Sequence, residues 1–385
     1  MKVIFTRDFL ALILSVAVVG LGSGATLPLT ALALTQAGYG TDVVGLLTAA
    51  QAGGGLVVVP LAGWIAARFG GRQVIAGAVL VVAIATAGMQ FTTNLYAWAV
   101  LRIACGAALM LLFTIGEAWV NQLADNTTRG RVVAIYATTF TLFQMAGPVF
   151  VSQIAGFDSG RFLLCGAIFL LALPTLATIR ATPHTAGEPE AHDSWRHVLP
   201  RMPAIVVGTA FFALFDTIAL SLLPLYAMAH GIAGEVAVLF ASALLLGDTT
   251  MQFPIGWLAD RFGRERVHLG CAAVVVLLLP LLPWAIGSLW LCWPLLYVLG
   301  AAAGAIYTLS LVACGERFRG AALVSASSLV GASWSAASFG GPLIAGALMK
   351  GIGNDALVGL LLAGALAFGG AALWERRRAG MRVVR

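Results

Sequence analysis

Apolar stretches of membrane length dominate this chain and constrain its fold more than any other feature. They fall near residues 9–34, 43–65, 74–92, 95–120, 132–155 and 162–180, and again near 203–228, 236–258, 268–287, 289–313, 322–348 and 355–374. A helix needs about 20 apolar residues to cross a hydrocarbon core of about 30 Å. Lipid offers no water to backbone N–H and C=O groups, and a helix satisfies them internally. The pattern therefore predicts an all-α membrane protein with twelve transmembrane helices. Composition agrees: 60% of residues are hydrophobic and 10% charged, against about 25% charged in soluble domains. The first run follows Lys2 and Arg7 as a signal peptide would, but its length and the similar runs behind it make it the first span.

Positive charge is one-sided along this pattern. Lys2, Arg7, Arg68, Arg72, Arg129, Arg131, Arg180, Arg196, Arg201, Arg261, Arg264, Arg266, Arg317, Arg319 and the tail arginines share one set of loops, whereas the opposite loops hold only Arg161 and Lys350. The positive-inside rule then places both termini in the cytoplasm, in a multi-pass protein of the inner membrane. The net charge of +6 is thus a topology signal. It is not the clustered basic face of a soluble nucleic-acid module, so the expected partners are the lipid bilayer and small molecules. The polar interval 181–201 reads as a cytoplasmic linker between a first half, 1–180, and a second, 202–374, with a basic tail over 375–385.

Cofactor and metal chemistry find no footing. Cys105, Cys165, Cys271, Cys292 and Cys314 all lie in apolar runs without CxxC spacing and read as small buried hydrophobes. His184, His192 and His197 belong to a solvated linker. The run "VVGLGSGA", followed by Asp42, imitates a dinucleotide fingerprint but lacks the strand that motif requires. A P-loop is excluded because Lys2 and Lys350, the only lysines, stand outside any such motif. No cofactor, no metal and no enzyme activity are expected.

The two halves repeat. "GWIAARFGGRQV" at 63–74 returns as "GWLADRFGRERV" at 256–267, matching Gly63 with Gly256, Arg68 with Arg261, and Gly70 with Gly263. Ala67, however, stands where the second copy has Asp260. Gly116–Glu117 is echoed by Gly315–Glu316, and Gly147–Pro148 by Gly341–Pro342. Duplicated six-helix halves match transporters in which substrate binds at the interface of the repeats.

On these residues the chain resembles the major facilitator superfamily. Gly256, Leu258, Asp260, Arg261, Gly263 and Arg264 match the family's signature between its second and third spans of a half. Gly63, Arg68, Gly70 and Arg72 match it more loosely. Within the superfamily it looks most like bacterial drug/proton-antiporter-like permeases, through Arg102 and Gly106 in "LRIACGAAL" and through Gly147–Pro148. The likeness implies twelve helices in two pseudo-symmetric halves, alternating access, and a monomer that moves a small organic solute with protons. It also implies that Asp260 faces a helix start near Gly130 in the other half, leaving Glu316 to receive Arg68. Gly147–Pro148 and Gly341–Pro342 are expected hinges.

A charge within a span costs about 2.5–3.5 kcal/mol or more on insertion scales, so each needs a reason. Asp216, in "FFALFDTIALSL", reads either as a group for proton coupling or a cationic substrate, or as a polar contact to another helix. Asp248 is expected to pair with a loop arginine or to share in coupling. Arg102 reads either as a functional cation or as a side chain snorkelling to the outer interface. Glu117, with Arg129 and Arg131 nearby and Arg68 or Arg72 within reach, and Glu316, beside Arg317 and Arg319, read as members of cytoplasmic gate networks that break and re-form between states, with static pairing as the alternative. Phe211, Phe215, Tyr226, Gln51, Gln144, Tyr307 and Trp334 either line a cavity or pack the core. The expected function is secondary transport, first as proton-coupled efflux and second as uptake by symport. A non-transporting sensor or assembly protein on the same fold is the alternative from a different class.

Overall fold

The computed structural model describes residues 7–123, 129–157, 159–177 and 195–383. These residues are helical in all their regular elements, as the apolar runs require. The first half carries α1 (Arg7–Gln36), α2 (Thr41–Val58), α3 (Ala62–Phe69), α4 (Gly71–Gly88), α5 (Leu95–Leu123), α6 (Arg129–Ile154), α7 (Arg161–Leu170) and α8 (Ala172–Ala177). After the short α9 (Trp195–Val198) come α10 (Pro203–Ser221), α11 (Leu223–Ala229), α12 (Gly234–Ala237), α13 (Leu239–Phe262), α14 (Arg264–Leu278) and α15 (Leu282–Ala285). The last three are α16 (Leu289–Arg317), α17 (Gly320–Ile352) and α18 (Ala356–Val383). Most of the expected linker, with His184 and His192, lies outside the described residues.

Among the described residues nine helical stretches are long and apolar enough to cross a membrane, and Arg161–Ala177 is a shorter apolar one. α6 and α17 occupy the runs read as the fifth and eleventh spans. The surfaces of α13 and α16 demand lipid. Phe253 is 84% exposed and Trp290 90%, which water would penalise at about 25 cal/mol per Å² of apolar area.

Contacts divide the chain into two compact units. The first holds residues up to Tyr39, then Leu46–Glu188 and Gly234–Ser242; the second holds Gly40–Gly45, Pro189–Ala233 and Ala243–Arg385. In the first, α1 runs against α6, and α4 packs on α5 and α7. The α1–α6 approach depends on missing side chains, since a Cβ on Gly147 would collide with the backbone of Gly24 and Ala25. In the second, α10 packs on α16, α17 and α18, and α14 packs on α16 and α18. Proline breaks neither α6 at Pro148 nor α17 at Pro342, because a span can satisfy the freed carbonyl through its neighbours.

Candidate substrate site and signature turns

Within the second unit, α10 brings Phe212 and Asp216 onto one face, one helical turn apart. Phe212 stacks on Tyr307 of α16 with centroids 5.2 Å apart and rings inclined by 16°. Trp334 of α17 closes the set at 5.1 Å from Tyr307 and 5.8 Å from Phe212. Thr217 Oγ1, 3.3 Å from Ser338 Oγ, ties α10 to α17 beside this cluster. Asp216 is half-buried and has no hydrogen-bond or ion-pair partner among the described residues. An unpaired carboxylate beside aromatic faces suits a cation, which both the charge and the ring quadrupoles attract.

The second buried acid behaves otherwise. Asp248 is 7% exposed and accepts a hydrogen bond from Gln252 Nε2 at 3.3 Å. It lies over Gly304, where a Cβ would collide with its carboxylate. The loop arginine expected for Asp248 is therefore replaced by an amide one turn along its own helix. Tyr226, read as a possible cavity liner, is fully buried and donates to Asp355 Oδ1 at 2.9 Å. Phe211 and Phe215 are buried as well. Phe212 carries the aromatic cluster, and sequence reading passed over it because a phenylalanine in an apolar run looks like packing.

In the first unit, Arg102 does not snorkel. It is 0% exposed, with Nη1 donating to Thr30 Oγ1 at 3.2 Å and Nε to the Leu47 carbonyl at 3.5 Å. Thr30 sends its own hydroxyl proton to the Thr26 carbonyl at 2.6 Å, which leaves its oxygen free to accept. Nη2 is buried without a partner, a deficit of about 1–3 kcal/mol for an unsatisfied donor. No carboxylate meets this guanidinium among the described residues.

The repeated motif forms the same backbone turn twice. Gly70 has φ 82° and ψ 131°, and Gly263 has φ 92° and ψ 127°. Side chains are strained there, so glycine is required. Each glycine donates back into the helix it ends, Gly70 to Ala66 at 2.9 Å and Gly263 to Ala259 at 3.0 Å. Each then accepts from the helix it starts, through Val74 and Val267. Gly63 and Gly256 face open space.

The side chains differ. Asp260 Oδ1 accepts from Arg264 Nη2 at 3.0 Å and Nε at 3.3 Å, and Arg264 also pairs with Glu316. Asp260 is thus engaged by a residue of its own turn. Glu316 joins Arg264. Arg261 lies over the Trp257 ring at 5.4 Å, and Arg319 donates to the Gly315 carbonyl at 3.1 Å. Arg72 donates to the Ala177 carbonyl at 2.9 Å, at the end of α8. Arg68 is exposed and has no partner among the described residues. Glu117 sits on the exposed face of α5, and the Arg129 side chain lies outside the described residues. Gly341, like Gly147, stands at a close approach, here against the Leu214 side chain.

Two acids that sequence reading missed bind this end of the second unit together. Glu375 pairs with Arg317 and accepts from the Ala204 N–H at 3.2 Å, joining α18, α16 and the start of α10. Glu265 lies 3.6 Å from Arg376. At the opposite end of the same unit Lys350 donates to Asp42 Oδ2 at 2.7 Å. The lone acid before the Arg376–Arg378 run was the available signal for Glu375.

Comparison with known proteins fits this architecture. The sequence profile of the Major Facilitator Superfamily matches residues 12–247 and 205–383. The chain belongs to that superfamily. It is 26% identical over 357 residues to the MFS-type transporter YfkF of Bacillus subtilis, covering 89% of this chain and 88% of the relative. It is 25% identical over 360 residues to YcaD of Salmonella typhi, covering 92% of each. Among solved structures, the nucleoside transporter NupG superposes with a TM-score of 0.78 at 15% identity, covering 96% of this chain and all of that one. A bacterial homolog of the human lysosomal transporter Spinster, inward-facing and occupied, superposes at 0.76 and 15% identity, covering 96% of both. At those identities the structures speak for the fold alone. Fold and relatives are those of transporters, not enzymes.

Proposed function

We propose that this superfamily member is a proton-coupled secondary transporter that exports a small organic cation across the inner membrane. In this reading it acts as a monomer with twelve spans and both termini in the cytoplasm. The observation that carries it is Asp216, half-buried and unpaired one turn from the Phe212–Tyr307–Trp334 cluster. A carboxylate in that setting holds either a proton or an organic cation, never both. A proton entering from outside displaces the cation, and a cation arriving from the cytoplasm displaces the proton. This exclusion couples the two flows without any further device. Asp248, held by Gln252, is a second stop for the proton in the same unit. Arg102, a fixed charge with no acid beside it among the described residues, is a state-dependent partner for an anion or a helix carbonyl during rocking of the halves. Asp260, Arg264, Glu316 and Arg319 hold the signature-turn end of the second half together as it moves.

The test is transport by inverted membrane vesicles energised acid-inside, offered fluorescent aromatic amines, matched neutral analogues and matched carboxylates. Saturable accumulation of amines alone, lost when the proton gradient is collapsed, supports the proposal. Gradient-driven accumulation of the carboxylates, or indifference to the gradient, contradicts it.

A further inference from the structure

The first unit carries an apolar groove of about 430 Å³ on its surface, within the roughly 300–1,000 Å³ of small-molecule sites. Phe69, Gln73, Gly77, Ala78, Ala104 and Ala107 are among the residues that line it. It opens at the signature turn, between the end of α3 and the start of α4. From Gln73 to Val81 it follows α4 for about 12 Å towards mid-bilayer, at about 1.5 Å per residue. A Cβ on Gly77 would meet nothing within 4 Å, so the groove is open space and not a tight helix contact. Its walls are apolar apart from Gln73, and Gly77, Ala78, Ala104 and Ala107 leave room along it, which suits a hydrocarbon chain.

Charge at the mouth selects the head group. Arg68 is the i+3 neighbour of the groove residue Ile65 and flanks Phe69. It is exposed and unpartnered among the described residues. Among the described residues Arg72 meets the Ala177 carbonyl alone. The stretch 63–74 contains no acid, whereas its counterpart 256–267 carries Asp260 and Glu265 and is further neutralised by Glu316. The first turn thus carries cationic side chains beside a surface groove.

We propose that an anionic phospholipid docks here, with an acyl chain along Gly77 and Ala104 and its phosphate on Arg68. The lipid supplies to the first turn the anion that the second turn carries as Asp260. The purified full chain in mild detergent, equilibrated with equimolar phosphatidylglycerol and phosphatidylcholine, is the test, with bound lipid counted by native mass spectrometry. Wild type should retain the anionic lipid about fivefold over the zwitterionic one, the effect of one arginine at a membrane surface. Arg68→Gln and Ala67→Asp should each bring that ratio towards one. Gly77→Leu should reduce retention of both lipids while melting like wild type, since its side chain fills space without collision. Equal retention by wild type, or a preference undiminished in Arg68→Gln, would overturn the proposal. So would displacement of the lipid by millimolar glycerol phosphate, which would mark a head-group site without a chain.

Discussion

The two signature turns share a backbone and differ in electrostatics. Gly70 and Gly263 adopt φ of 82° and 92° and make the same pair of hydrogen bonds. Yet the ion pair of the second turn has no counterpart in the first, where Ala67 and Gly71 replace Asp260 and Arg264 together. Duplication has preserved what the chain geometry needs. The charges have diverged, one turn becoming self-neutralised and the other cationic. The lesson is that a motif's glycines report on conformation, and its charges must be read against the neighbours each half provides.

The backbone side of this comparison breaks most visibly. Gly70→Ala and Gly263→Ala should each cost about 1–3 kcal/mol, the strain of a side chain in that region. Thermal melts in detergent should show similar losses, and a harmless substitution at either position would separate the two turns. Next comes Glu375→Gln, which removes the carboxylate that both Arg317 and the Ala204 N–H engage. It should cost about 1 kcal/mol, the value for a charged hydrogen bond discounted for solvent screening. The loss should shrink in high salt. Asp260→Asn leaves Arg264 with Glu316 and should cost under about 1 kcal/mol, as exposed pairs do. Smallest is Arg68→Gln, expected to stay within about 0.5 kcal/mol of wild type in lipid-free detergent, since a partnerless surface cation holds nothing. A larger loss there would reveal a protein partner for Arg68.

Sequence alone made the fold legible because lipid imposes one solution on apolar runs of this length, and the repeat exposed both turns. The partners of the charges were less legible. Asp260 was assigned across the halves by likeness, although Arg264 stands one turn away beyond the glycine break. Arg102 was counted near the outer end of its run and so read as able to snorkel. Its burial depends on Thr30 and Leu47, contributed by two other helices. Glu375 joins three helices distant in sequence, and among the tail arginines it reads as solvated charge. Phe212 shows the same limit in apolar form: only folding sets it against Tyr307 and Trp334.

The contrast extends inward: among the described residues the first unit holds a buried cation that no acid meets, and the second holds two acids that no cation meets. Of these, Asp216 bears the central claim. Proteoliposomes loaded with a pH-sensitive dye and offered an aromatic amine measure it directly. Wild type should move protons only when the amine is present, and Asp216→Asn should abolish that flux while still folding and melting normally. Full amine-linked proton flux in Asp216→Asn would contradict the account.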